Sequence, residues 1–331
     1  MAHALRVCTF NICHTACLVN LPSLAPDESQ GLALVAAIVA LSECDVCVIQ
    51  EADGNQCPTC QLHGVTQADK QEVMVELLHL LATRFGWEKG YVSKHTCILS
   101  KWPIVEERGF HPTANDTSVH ASAPSIQTRS HGWVTVCVDN EDNPPDNLAD
   151  HSPDQDCLMV QVCNVHLDWA MQPQVILEQN QGIKNRAMVQ QEWVVRGGEM
   201  CDILRELKPT WTVPDFTILA GDFNTMSHLD EPECKEEMSW PITRLLQRSG
   251  FEDTFRVAHP DHSKVKGHTW YVPLPGYDMS REVHSRLDYL FLKPHTSKMK
   301  CRVTRARVLS GDPWPSDHMA LMADLVFESV K

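Results

Sequence analysis

The sequence predicts an α/β protein whose stacked mixed β-sheets carry helices on their outer faces. Three observations carry this. Short apolar runs rich in Val, Ile, Phe and Cys recur along the chain, and longer segments show helical periodicity. The middle of the chain strings several strands together without intervening helices, which suits sheets packed on one another. The 331 residues are 43% hydrophobic and 21% charged, enough apolar material for a full core, which excludes disorder, collagen and coiled coil for the whole chain.

The elements follow in order. Residues 5–12 (LRVCTFNI) read as a strand that delivers Asn11, and residues 27–41 as a buried helix with an acidic start. Residues 45–50 (DVCVIQ) form a second strand and deliver Glu51. Residues 68–85 read as a helix, because Val73, Leu77, Leu80 and Leu81 recur at spacings of three and four before Gly86. Strand-like pieces at 91–92, 96–100, 104–110, 133–138 and 158–166 come next. Residues 174–207 hold the longest helical stretch, with Val189, Trp193, Met200, Leu204 and Leu207 on one stripe. A buried strand at 216–220 and a short helix at 242–248, stopped by Gly250, precede closing strands at 287–292, 303–309 and 319–327.

Charge narrows the partners. A formal net charge of -15 leaves no broad basic surface, so tight binding along duplex DNA is not expected, whereas a short or small phosphorylated substrate remains open. The longest apolar run, residues 32–41, is half of the roughly 20 residues a membrane span needs. No secretory signal fits the N-terminus. Of 14 cysteines, Cys8, Cys47, Cys137 and Cys163 lie in apolar strand-like runs and read as small buried hydrophobes. The expectation is a reduced, cytoplasmic chain. Its oligomeric state stays open. Segment 139–156 carries seven acidic side chains, three prolines and no Lys or Arg, and reads as a long solvated loop between two strands.

One pattern organises the chemistry. Apolar strands repeatedly end on a residue of catalytic type: Asn11, Glu51, His166, then Asp222 with Asn224; Asp288 and the pair Asp317–His318 stand just before such strands. Strand ends on one edge of an α/β sheet are where distant side chains meet. Carboxylates, amides and imidazoles gathered there hold a hard cation and move a proton.

TFN (9–11), QE (50–51), NVHL (164–167), GDFN (221–224), RLDY (286–289) and SDH (316–318) resemble the ordered motif set of the endonuclease/exonuclease/phosphatase superfamily. LSKWPI (99–104), DTFR (253–256) and HTW (268–270) resemble its weaker marks. The resemblance implies a four-layer αββα sandwich, and one domain over residues 1–331, because motifs from both halves share one site. It implies a Mg²⁺-dependent phosphoesterase, with Mn²⁺ as a substitute. Glu51 is then the metal ligand, helped by Asn11 and by Asp317, direct or through water. Asp222 activates the attacking water, and Asn224 and His166 hold the phosphate. His318 neutralises developing charge with Asp288 behind it. Trp270 is expected to wall the substrate.

The substrate branch stays open between nuclease or deadenylase-like chemistry and a small phosphoester. The competing readings are a lipid phosphoesterase of the sphingomyelinase or inositol-phosphatase type and a non-catalytic binding protein on the same fold. Two other signals are discounted. Cys44-x-x-Cys47 sits where buried thiols are expected, and Cys57, Cys60 and His63 offer three donors without a fourth.

Overall fold

Each apolar run becomes a strand because its β-branched and aromatic residues pack on a pleated surface, and the phase of the run decides which side chains face inward. The computed structural model describes residues 2–12, 35, 38–39, 42–52, 87–92, 96–110, 131–138, 157–170, 184–207, 213–273, 282–311 and 314–330. The first sheet contains β1 (Ala2–Asn11), β2 (Val46–Gln50), β3 (Glu88–Val92), β4 (Thr96–Ser100), β13 (Met299–Leu309) and β14 (Ala320–Ser329), in the order β13-β14-β1-β2-β4-β3. The second contains β5 (Ile104–Phe110), β6 (His131–Val138), β7 (Leu158–His166), β8 (Phe216–Asp222), β9 (Glu252–Asp253) and β12 (Asp288–Pro294), in the order β5-β6-β7-β8-β12-β9. A hairpin of β10 (Trp270–Pro273) and β11 (Glu282–Ser285) stands apart.

The layers follow from alternation. Leu5, Val7, Val46, Val48 and Ile98 of the first sheet meet Val160, Val162, Ile218, Ala220 and Leu290 of the second in one core. The opposite face of the first sheet places Phe10, Cys47, Ile49 and Leu99 against the helical residues Val35 and Val39. The opposite face of the second places Val165, Leu219 and Phe291 against α2 (Gly198–Glu206) and α3 (Pro241–Arg248) through Met200, Ile203, Ile242 and Leu246. The result is the expected αββα sandwich.

Three expectations change. The helical stretch described at 186–206 is α1 (Arg186–Glu192), a π-helical turn (Trp193–Gly197) and α2. Its buried face is Met188, Glu192, Arg196, Met200 and Ile203, while Trp193 is 44% exposed. The wider π turn shifts the helix phase, so a strict 3.6-residue stripe fails there. Glu192 and Arg196 form a buried ion pair on that face, and Arg196 Nη2 donates to Ala170 O at 2.9 Å. Next, Cys137 is no reduced thiol: it is bonded to Cys157, with Cα atoms 5.8 Å apart. The β6–β7 register sets Val138 beside Leu158 and so brings the two cysteines together across the acidic segment. Last, β9, the β10–β11 hairpin and α4 (Thr254–Ala258) were not foreseen. Asp253 caps α4, accepting from the backbone N–H groups of Phe255 and Arg256.

Most of the helix expected at 27–41, the helix at 68–85, the acidic segment 139–156 and Cys57, Cys60 and His63 lie outside the described residues. No helix among the described residues is long and apolar enough to cross a membrane.

Candidate active site

The space between the sheets turns from apolar to polar at one end, strand by strand, without changing phase. On β1, Leu5 and Val7 are followed on the same face by Thr9 and Asn11; on β2, Val46 and Val48 by Gln50. On β7, Val160 and Val162 give way to Asn164 and His166; on β8, Ile218 and Ala220 to Asp222. β12 runs antiparallel to β8 and starts at this end with Asp288. Register then sets Asn11 beside Gln50, and Asp222 between His166 and Asp288. The candidate site is the polar continuation of the core.

Below it, a line of amides and a hydroxyl joins the sheets. Thr9 Oγ1 donates to Gln50 Oε1 at 3.2 Å, and Gln50 Nε2 donates to Asn164 Oδ1 at 2.9 Å. Asn164 Nδ2 donates back across the gap to the carbonyls of Ile49 and Cys97, both at 2.9 Å. Every member is buried. Such groups cost stability if left unpaired, so their mutual satisfaction fixes one arrangement.

Asp222 is the centre of the cluster. Its Oδ2 accepts from Asn11 Nδ2 at 3.0 Å and from Asn224 Nδ2 at 3.2 Å, and its Oδ1 accepts from the Asn224 backbone N–H at 2.8 Å. His318 Nε2 lies 3.7 Å and His166 Nε2 3.8 Å from Oδ2. Burial pushes the Asp222 carboxyl up to about 7, against the pull of the His318 charge. Asp288 and Glu51 push in the same direction as burial.

His318 is held from both sides. Asp288 Oδ2 is 2.8 Å from its Nδ1, and the Ser316 hydroxyl accepts from its backbone N–H at 3.0 Å. That hydroxyl donates to the Asn11 carbonyl at 2.7 Å, tying the end of the chain to the first strand. Burial pulls the imidazole pKa down, but Asp288 and Asp222 more than reverse this, and it stands well above its usual value. Thr269 Oγ1 accepts from the backbone N–H groups of Leu287 and Asp288 and fixes the start of β12.

Two site residues sit in left-handed backbone conformations, Glu51 at φ 56° and Asn224 at φ 48°. Asn adopts this readily; Glu does so at a cost of about 1–3 kcal/mol, a cost typical of positions that aim a functional side chain. Glu51 Oε1 accepts from Asn11 Nδ2 at 3.2 Å and lies 3.6 Å from His166 Nε2, with its side chain 21% exposed.

The donor set fits a hard divalent cation. Asp222 and Asp288 offer carboxylate oxygens within 4.8 Å of each other, and Glu51 adds a third carboxylate reached through Asn11. Asp288 Oδ1 is buried with no hydrogen-bond partner among the described residues. Carboxylates crowded this closely favour a compensating positive charge, and oxygen-rich donors select Mg²⁺ or Mn²⁺.

Seven of the expected residues thus converge: Asn11, Glu51, His166, Asp222, Asn224, Asp288 and His318. Asp317 and Trp270 pair with each other beside His318. Trp270 Nε1 donates to Asp317 Oδ2 at 3.2 Å, and the indole lies with its centroid 6.5 Å from the His318 ring. Trp270 is only 5% exposed, so most of its surface is covered by protein. Thr9, Gln50, Asn164, Thr269 and Ser316 were given no role from sequence, although each lies in a quoted motif. Gln50 and Asn164 carried a usable signal: a polar residue at the inward phase of an apolar strand.

The comparisons with known proteins concern the family and the fold. Residues 8–318 match the Endonuclease/Exonuclease/phosphatase family. An uncharacterized protein of Caenorhabditis elegans is 29% identical over 248 residues, covering 68% of this chain and 74% of that protein. Among solved structures, an endonuclease/exonuclease/phosphatase family protein from Leptotrichia buccalis has a TM-score of 0.55 at 16% identity, over 97% of this chain and 99% of that one. TDP2 from Caenorhabditis elegans has a TM-score of 0.52 at 17% identity, over 97% of this chain and 74% of that one. These structural likenesses concern the fold. With the family match spanning nearly the whole length, the chain belongs to the endonuclease/exonuclease/phosphatase family, whose members are in general hydrolytic phosphoesterases.

Proposed function

We propose that this protein is a Mg²⁺-dependent phosphoesterase, with Mn²⁺ able to substitute, that hydrolyses a phosphodiester or phosphomonoester by in-line attack of water, and that residues 1–331 act as one catalytic domain. The observation that carries this reading is the setting of Asp222. Its carboxyl is oriented by two amides, flanked by two imidazoles and brought by burial to about 7, where a base takes a proton from water and returns it. Asn224 and Asn11 hold its oxygens in place, and Asn224 and His166 bind non-bridging phosphate oxygens. The His318 imidazolium, sustained by Asp288, offsets charge on the phosphoryl group as it transfers. Glu51 and Asn11, with Asp317 directly or through water, would hold the cation. A cation held there would supply Lewis acidity, which polarises a phosphate and stabilises a leaving oxygen. Trp270 borders the pocket beside His318.

The net charge of -15 favours a short nucleic acid or a small phosphorylated molecule over long duplex DNA. The buried free thiols Cys8, Cys44, Cys47, Cys97 and Cys163 fit a reducing compartment, and we assign the protein to the cytoplasm; the Cys137–Cys157 bond is the exception among the described cysteines.

Hydrolysis of bis-p-nitrophenyl phosphate tests the reading. Turnover is expected with Mg²⁺ or Mn²⁺, to vanish with EDTA and to return with added metal. Glu51→Gln is expected to raise the metal concentration needed for half-maximal rate by about tenfold or more. Turnover that survives EDTA would overturn the metal assignment.

The Asp288–His318 pair gives a second expectation. Without Asp288 the imidazole loses the largest of the partners that raise its pKa, so that pKa falls. Asp288→Asn should therefore move the alkaline limb of the pH–rate profile to lower pH, with a larger loss at pH 9 than at pH 6. An unchanged limb would show that His318 is not the acting cation.

A further inference from the structure

Behind the candidate site, on the outer face of the same two strands, three sulfurs meet. Cys8 on β1 and Cys47 on β2 are direct partners in the parallel register, so their side chains leave the sheet on one side. Cys44, just before β2, turns back over them. The three Sγ atoms lie within 4.8 Å of one another and all three residues are buried. Three thiolates around one metal at about 2.3 Å need sulfur separations of about 4 Å, within that limit. Met322 on β14 is the opposite neighbour of Cys8 and places a thioether on the same face.

Positive charge stands beside this face. Arg307 reaches this face, with its Nη2 3.9 Å from Met322 Sδ and its Nε buried without a partner among the described residues. Its charge acts on Cys8, and that of Lys101 acts on Cys44.

We infer that Cys8, Cys44 and Cys47 form a second, soft-metal site, a three-thiolate seat for a d¹⁰ ion such as Zn²⁺ or Cu⁺ that clamps β1 to β2. Thiolate and thioether donors select such ions and reject Mg²⁺, so the site is chemically orthogonal to the oxygen-rich one. Binding releases the thiol protons to solvent and leaves a charge that Arg307 and Lys101 offset. Cys8 precedes Asn11 by three residues and Cys47 precedes Glu51 by four, so the clamp braces the strands that present those two side chains. The trio escapes the CxxC spacing because its third donor lies 36 residues upstream of Cys44.

The test is elemental analysis of the full chain expressed in medium supplemented with zinc, copper or cadmium, then dialysed against EDTA under reductant. About one thiophilic ion per chain should survive dialysis, and the cadmium form should show thiolate-to-metal absorption in the ultraviolet. The zinc and copper arms identify which ion the site prefers. Cys47→Ser should lose the ion and melt at lower temperature, whereas the Cys57→Ser/Cys60→Ser double variant should keep it. If Cys47→Ser fails to fold by circular dichroism, Cys44→Ser, outside the strand, gives the same reading. No retained ion in any arm, or an ion retained by the folded serine variant or lost from the Cys57/Cys60 variant, overturns the proposal. None of these outcomes depends on phosphoester turnover.

Discussion

Asp222→Asn should cost about 10³- to 10⁵-fold in kcat while raising the melting temperature of the metal-free protein. The two effects share a cause. Asp222 is fully buried next to Asp288, with Glu51 also raising its pKa, so the folded chain resists its ionisation. The neutral amide keeps one acceptor oxygen for the Asn11 and Asn224 side chains, gives up the acceptor facing the Asn224 backbone N–H and removes one buried charge; the charge is the larger cost, so the fold relaxes as the base disappears. Stability–activity opposition of this kind is expected where a site is strained for its task.

The pH dependence has a definite sign. The folded-state value of about 7 exceeds the ordinary carboxylate value, so between about pH 4 and 7 the folded chain holds a proton that the unfolded chain has lost. This group's stabilisation is therefore complete below about pH 4 and is lost as pH rises through about 7. Thermal melts of metal-free protein should show that decline in the parent and a flatter curve in Asp222→Asn, with the variant ahead at pH 8. A variant that retains turnover would remove Asp222 from the mechanism. One that melts lower at pH 8 would show that the carboxylate is not a buried burden.

Gly221→Ala, one residue earlier, should fail differently: little folded protein, with a loss above about 4 kcal/mol. A Cβ at Gly221 would lie 1.8 Å from the carbonyl oxygen of Val165, and φ is +149°. Val165 is its register partner on β7, so the clash is with backbone in the central strand pair. Neither strand can retreat without breaking the ladder that aligns His166 with Asp222. Gly198 is the control: it begins α2 with nothing within 4 Å of an added Cβ, and Gly198→Ala should stabilise by about 0.5–1 kcal/mol. Soluble yield and urea melts of the two variants separate the cases. Wild-type stability in Gly221→Ala would mean that β7 and β8 are not packed this closely.

Much of this was readable from residues alone, for physical reasons. The strands announced themselves because buried central strands are near-continuous apolar runs, as at 46–50, 158–166 and 216–222. The site residues were readable because each sits where such a run ends. What the sequence concealed needed a third dimension. The π turn at Trp193–Gly197 has no compositional mark, and it rotated the buried stripe onto Glu192 and Arg196. The Cys137–Cys157 bond depended on a strand register that spacing does not reveal. The left-handed backbone at Glu51 is also silent in the sequence, since Glu is a residue one would not choose for it.

The chain of bonds from Thr9 through Gln50 to Asn164 has one more consequence. Hydrocarbon surfaces in contact can slip past each other, because the force between them has no direction. Asn11 and Glu51 ride on one such surface and His166, Asp222 and Asp288 on the other, so any slippage would pull the reacting groups out of alignment. Oriented amides bridging that boundary act as a dowel: they allow one lateral position and penalise the rest. The accuracy of the chemistry is therefore set several ångströms beneath it, by residues that never meet substrate.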